Sequence, residues 1–131
     1  MHCGSRYNHV DDYVAQAEGE ICIIAQIETQ TGIDNTATIA AVDGVDALFY
    51  GPGDLSCVIG KVGQTAGKDV RELISQEVAR CRELGIAIGT LIPNESASDW
   101  ASEVGFDFVS VGNDYSMITG GAKRIVSALG S

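Results

Sequence analysis

The sequence predicts an α/β fold built on four parallel strands with helices packed outside them. Four short, nearly continuous apolar runs alternate with segments of helical periodicity. Continuous apolar runs are typical of strands buried on both faces. A regular alternation of strands and helices implies parallel strands joined by right-handed crossovers. The four runs are residues 21–27, 47–50, 86–92 and 108–111.

Five helices are predicted around these strands. In residues 68–84 the apolar positions recur with the helical period, and Gly85 follows as a residue suited to end a helix. A second helix with one apolar face follows Asn94 and ends at Gly105. The other three predicted helices are residues 11–18, residues 31–42 before Gly44, and a C-terminal segment with an apolar stripe at Tyr115, Ile118, Ala122, Ile125 and Leu129.

Length and charge limit the classes of partner. The 131 residues fit one domain, and their net charge is −10. Eight basic against 18 acidic residues argue against binding to nucleic acid or to an anionic membrane, because phosphate neutralisation needs clustered cations. No apolar run reaches the length of a membrane span, and the first residues do not resemble a secretory signal. We therefore expect a cytoplasmic protein.

The four cysteines match no zinc-binding spacing. They are Cys3, Cys22, Cys57 and Cys81, and no two form a C-x-x-C pair. Cys22 lies in an apolar run and Cys81 on a helical stripe, where a free cysteine behaves as a small hydrophobic residue. We expect buried, reduced thiols.

Two polar motifs follow consecutive strands. Gln26 and Glu28 end the first strand and, being two residues apart, point to the same face. Residues 51–56, with the sequence Gly-Pro-Gly-Asp-Leu-Ser, follow the second strand directly. The glycines permit close approach of a ligand to the backbone. The structural alternatives are a solvated Glu28 and a helix start capped by Asp54 or Ser56.

Taken together, the two motifs indicate a cation site. Strands that follow each other in a parallel unit usually lie side by side, about 4.8 Å apart. Glu28 and Asp54 would then repel each other unless one is protonated or a cation bridges them. Oxygen ligands suit Mg²⁺ or Mn²⁺.

These motifs resemble the HpcH/HpaI aldolase family, whose members are class II pyruvate aldolases. The resemblance is carried by Gln-x-Glu-Thr at residues 26–29, by residues 51–56 and by the stretches between them, and it extends over nearly the whole chain. It implies that residues 1–131 are one partial (β/α)₈ barrel domain, namely strands 5–8 of a TIM barrel. The activity it implies is metal-dependent cleavage or formation of a carbon–carbon bond of a 2-oxo acid, through a pyruvate enolate and with an aldehyde partner.

The resemblance also implies roles for single residues. Glu28 and Asp54 match the ligands of a divalent metal (Mg²⁺, Mn²⁺ or Co²⁺). Gln26 matches a residue that contacts the oxo acid. The backbone N–H groups of Gly53 and Asp54 match those that hold the pyruvate carboxylate, although the family often has alanine or serine in place of Gly53.

No catalytic residue is predicted within the chain itself. In the family a histidine base and an arginine lie in the N-terminal half of the barrel, and His2 and His9 are expected to be surface residues. Three interpretations stay open: a fragment of a full aldolase, a half-barrel that pairs with a second copy as a homo-oligomer, and a non-catalytic remnant. A lyase of the citrate lyase β type, acting on CoA thioesters, is the alternative enzyme.

A half-barrel would leave one face of its sheet uncovered. The residues expected on that face are Ile23 or Ile24, Phe49, and Val109 or Val111. Since burying such side chains stabilises a protein by roughly 1.5–3 kcal/mol each, we expect self-association.

Overall fold

The structure is a computed structural model, which describes residues 9–92 and 97–130. It contains one four-stranded parallel sheet in the order β1-β2-β3-β4, so the predicted parallel α/β architecture is confirmed. The strands are β1 (Ile24–Ile27), β2 (Ala47–Tyr50), β3 (Ala87–Ile92) and β4 (Phe108–Val111). The helices are α1 (Tyr13–Glu20), α2 (Gln30–Asp34), α3 (Thr36–Ala40), α4 (Pro52–Val58), α5 (Lys68–Leu84), α6 (Ser98–Val104) and α7 (Asp114–Ala128).

Two aspartates fix where strands begin to pair. The Ile23 N–H donates to Asp46 Oδ2 at 2.7 Å, and the Asp46 N–H donates to Ile23 O at 2.9 Å. Asp107 forms the same two bonds with Ile88, at 2.8 and 3.0 Å. The regular ladder between β1 and β2 then starts at Ile24. The prediction of a strand over 21–27 was therefore too long, because regular pairing with β2 begins only at Ile24.

One face of the sheet carries the hydrophobic core. The apolar side chains of α5 pack against the strands, as its stripe predicted, and Gly85 ends the helix with a left-handed φ of 71°. The core residues on the strands and on α5 are Ile27, Leu48, Tyr50, Ile88, Val70, Ile74, Val78 and Cys81. All helices that contribute to this core therefore lie on one side of the sheet, as in the wall of a barrel.

The opposite face is lined by aromatic rings and is only partly covered. Phe49, Gly89 and Phe108 are aligned across β2, β3 and β4. The Phe108 ring lies over Gly89, and its centroid is 6.2 Å from that of Phe49. Ile24 on the same face is 47 % exposed. The predicted face is therefore confirmed for Ile24 and Phe49, but only Ile24 is exposed, since Phe49 is half-buried against Phe108.

Val109 and Val111 were assigned to the wrong face. They pair with Thr90 and Ile92, which are buried on the helix-covered side, and aligned residues of neighbouring strands share a face. Both valines are nevertheless exposed, because the helix that follows them, α7, has no buried residue. The predicted C-terminal helix is confirmed, but its apolar stripe is in contact with solvent.

The predicted helix over 31–42 is interrupted. Asn35 has a φ of −101° and a ψ of 11°, and its side-chain amide donates to Thr31 O at 2.7 Å. This side-chain bond competes with the helical pattern, as asparagine commonly does. α2 and α3 result, with Thr29 capping α2 by accepting a bond from the Gly32 N–H.

A buried polar cluster joins α3, β2 and α5. The Tyr50 hydroxyl donates to Glu77 Oε2 at 2.7 Å, and the Thr36 hydroxyl lies 2.8 Å from the Tyr50 oxygen and 2.9 Å from the same carboxylate oxygen. Arg80 pairs with the other oxygen of Glu77 at 3.7 Å and donates to Ile33 O. These bonds satisfy groups that would otherwise be costly to bury.

The cysteines only partly follow the prediction. Cys81 is fully buried against the sheet, whereas Cys22 and Cys57 are exposed free thiols. Cys22 is exposed because it precedes the ladder of β1. Cys3 lies outside the described residues. None of the helices that the structure describes could cross a bilayer, judged by length and hydropathy.

Candidate functional site

The C-terminal end of β1 brings two polar side chains together. Gln26 and Glu28 point to the same side of the chain, as their spacing predicted, and the Gln26 Nε2 group donates a hydrogen bond to Glu28 Oε1. Glu28 is partly buried and Gln26 is exposed. The bond occupies one carboxylate oxygen of Glu28 and leaves Oε2 available to another partner.

Gly51 lies directly beside this pair. Its N–H donates to Ile27 O at 3.2 Å, which continues the pairing of β1 with β2 by one residue. A Cβ atom placed on Gly51 would lie 3.0 Å from Glu28 Oε1 and 3.3 Å from Gln26 Nε2. The Glu28 carboxylate therefore rests against the backbone where the loop after β2 begins.

α4 begins immediately after Gly51 and carries Asp54 in its first turn. Gly51 is the N-cap residue and Pro52 the first helical residue, a position that suits proline. The interpretation of Asp54 or Ser56 as an N-cap is wrong, because the helix starts earlier, and the Ser56 hydroxyl donates back to Gly53 O at 2.6 Å.

The first turn of α4 offers backbone donors next to Asp54. The Leu55 N–H donates to Gly51 O, and the N–H groups of Gly53 and Asp54 precede that bond in the helix. Such N–H groups at a helix start have no acceptor within the helix. Gly53 and Asp54 are both exposed, so the first turn of α4 lies at the surface of the described chain.

Glu28 and Asp54 are residues of a type that binds hard divalent cations. Glu28 and Asp54 offer carboxylate oxygens from adjacent strand ends, and oxygen ligands are those that Mg²⁺ and Mn²⁺ prefer. Across residues 9–92 and 97–130, no group of three or more His, Cys, Asp or Glu side chains is gathered that could hold a metal. The protein would thus supply two carboxylates, which suits an ion that keeps water and substrate as its other ligands.

Two other candidate residues, His9 and Lys61, lie within the described part of the chain. His9 is exposed and precedes α1, while His2 lies outside the described residues. Lys61 pairs with Asp69 at 3.2 Å near the start of α5. Residues 5–8, to which the resemblance extends, also lie outside the described residues.

A parallel sheet with its helices on one side and polar groups at the ends of its strands is the arrangement of the wall of a (β/α) barrel. The model of the HpcH/HpaI aldolase/citrate lyase family matches residues 3–119, and the chain belongs to that family. The family predicted from the two strand-end motifs is thereby confirmed.

Named relatives are aldolases, and the chain spans about half their length. The hydroxypyruvate/pyruvate aldolase of Chromohalobacter salexigens is 40 % identical over 94 % of this chain and 48 % of its own length. The 4-hydroxy-2-oxo-heptane-1,7-dioate aldolase of Salmonella paratyphi B is 36 % identical over 97 % and 48 %. A family protein from Burkholderia cenocepacia of solved structure superposes with a TM-score of 0.84 at 27 % identity, covering all of this chain and 51 % of that one. The fold is therefore half of a (β/α)₈ barrel.

The close approach of Gly51 to Glu28 was not predicted from the sequence. Both glycines of the loop were expected to admit a ligand, but the space above Gly51 holds the side chains of Glu28 and Gln26. The sequence did carry a signal for this contact: Gly51 directly follows β2, and Glu28 directly follows its partner strand β1.

Proposed function

We propose that this chain carries the metal-binding and oxo-acid-binding half of the active site of a metal-dependent aldolase. Its four strands correspond to strands 5–8 of the family's barrel. Glu28 and Asp54 are the protein ligands of a divalent cation, Mg²⁺, Mn²⁺ or Co²⁺. The observation that carries the proposal is the contact of Glu28 with Gly51, the residue from which the turn bearing Asp54 starts.

The chain's own groups would bind and orient a 2-oxo acid such as pyruvate. The N–H groups of Gly53 and Asp54 hold its carboxylate, because a helix start favours negative charge. Gln26, at the rim of the same edge, contacts the oxo acid. A bound divalent cation supplies a Lewis acid for the keto oxygen. The resemblance implies a histidine base in the N-terminal half of the barrel, so the base is expected outside this chain.

Metal binding tests the proposal directly. Mn²⁺ added to the purified chain is followed by the electron paramagnetic resonance signal of the free ion. We expect binding by the parent chain that is lost in Glu28→Gln and in Asp54→Asn, since each variant removes one anionic ligand but keeps the shape of the side chain. The matched control is Glu83→Gln, an exposed residue on α5, which should bind as the parent does.

Turnover provides a second, independent measurement. We expect the chain alone to cleave aldol substrates slowly, because loss of a general base lowers rates by about 10²–10⁴-fold. Decarboxylation of oxaloacetate should survive better, since it depends on the metal and the held carboxylate.

Equal Mn²⁺ binding by the parent and by both ligand variants would refute the assignment of the site. A rapid aldolase reaction by the chain alone would refute the placement of the base elsewhere.

A further inference from the structure

We infer that Gly51 is a positioning residue for Glu28: the absence of a side chain at residue 51, together with the amide of Gln26, holds the Glu28 carboxylate in place for the cation. The inference rests on the metal site proposed above. It assigns a new role to Gly51 and a second one to Gln26, which was expected to contact only the oxo acid.

The backbone at Gly51 does not itself require glycine. Its φ of −87° and ψ of 99° lie in the extended region that any residue adopts. The glycines at residues 44, 85 and 105 differ, since each has a positive φ that disfavours side chains. A glycine at residue 51 therefore needs another reason.

That reason is space for the Glu28 side chain. A Cβ atom on Gly51 would lie 3.0 Å from Glu28 Oε1, 3.2 Å from Glu28 Cγ and 3.3 Å from Gln26 Nε2. All three distances are shorter than ordinary van der Waals contact, so a methyl group would push the carboxylate and the amide away. Gly53, two residues further, shows the contrast, because a Cβ there meets no atom within 4 Å.

Gln26 fixes the carboxylate from the other side. Its Nε2 group donates to Oε1, so the rotation of the Glu28 carboxylate is restricted and Oε2 is left for the cation. Groups that orient a metal ligand in this way typically contribute about 10- to 100-fold to metal affinity. Backbone on one side and an amide on the other thus hold a flexible side chain in one geometry.

Mn²⁺ affinity without substrate tests both roles. We expect Gly51→Ala and Gln26→Leu each to weaken Mn²⁺ binding by about 10- to 100-fold, while Gly120→Ala, where the added Cβ meets only an ordinary contact at 4.0 Å, binds as the parent does. A Gln26 side chain that contacts only the oxo acid would leave this affinity unchanged. The measurement therefore separates the two roles of Gln26.

Thermal unfolding with chelator present provides a readout that does not depend on metal. Gly51→Ala should lower the melting temperature of the parent but have little effect in a Glu28→Ala background, because the main contact of the added methyl group is then gone. If Gly51→Ala alone fails to fold, recovery of folding by Glu28→Ala supports the same conclusion. An equal loss in both backgrounds would show a backbone effect and overturn the inference.

The outcomes distinguish this inference from the function on which it rests. Parent-like Mn²⁺ affinity in Gly51→Ala and Gln26→Leu, with binding lost in Glu28→Gln, would overturn the positioning roles and leave the metal site standing. No difference between the parent and Glu28→Gln would overturn both. Weakened binding in all three variants supports both.

Discussion

Removing one buried hydroxyl should measurably destabilise the fold. Tyr50→Phe deletes the phenol oxygen that donates to Glu77 Oε2 at 2.7 Å and lies 2.8 Å from the Thr36 hydroxyl. Tyr50 and Thr36 are completely buried, and Glu77 is 6 % exposed, so water does not replace the lost donor. The Glu77 oxygen then keeps only Thr36 as a close hydroxyl partner.

The expected loss can be calculated from these contacts. A hydrogen bond to a charged group contributes about 1.5–3 kcal/mol to the free energy of unfolding. For a domain of this length each kcal/mol shifts the melting temperature by about 4 °C. We therefore expect Tyr50→Phe to melt roughly 6–12 °C below the parent.

Urea unfolding followed by the fluorescence of Trp100 is a suitable assay, with thermal melting as a check. The control is Tyr115→Phe, the same chemical change at a side chain that is 74 % exposed, which should alter stability by less than about 0.5 kcal/mol. If Tyr50→Phe and Tyr115→Phe unfold alike, the polar cluster does not contribute to stability and the reasoning is refuted.

Three further predictions concern pH, packing and assembly. Burial raises the pKa of the Tyr50 phenol and of the Cys81 thiol above their ordinary values. As the pH rises, the unfolded chain therefore loses these two protons before the folded chain does. The free energy of unfolding should fall above about pH 8.5, and a flat profile to pH 11 would contradict this. Gly89→Ala places a Cβ against the Phe108 ring and should lower the free energy of unfolding in urea by about 1–3 kcal/mol. Parent-like stability would show that the ring moves aside without cost. Light scattering over a concentration series should show self-association, since no residue of α7 is buried; a monomer throughout would show that the exposed apolar faces do not drive assembly.

Part of the site could be predicted because its residues follow regular strands. Alternation along β1 places Gln26 and Glu28 on one side, and their hydrogen bond confirms it. The order of helices and strands placed the loop at residues 51–56 next to them. The ligand roles of Glu28 and Asp54 stay a prediction, which the Mn²⁺ binding measurements test.

Other features could not be predicted because they depend on contacts between distant residues. The break at Asn35 follows from a side-chain bond to Thr31 that competes with a helix of ordinary composition. Val109 was assigned to the wrong face because the face of a short strand depends on its register with β3. The cluster around Glu77 joins three elements, and the sequence shows only a glutamate on an otherwise apolar stripe.

The sequence by itself determined the α/β class, the parallel arrangement of the strands, the ends of α5 and α6 at Gly85 and Gly105, and the family, because these depend on local periodicity and on short motifs. Only the tertiary structure decided which side chains meet: Glu28 against Gly51, Phe108 over Gly89, and Tyr50 on Glu77. The physical reason is that periodicity fixes the direction of a side chain relative to its own element. The neighbours that it contacts are set by the register and packing of elements that are far apart in the chain.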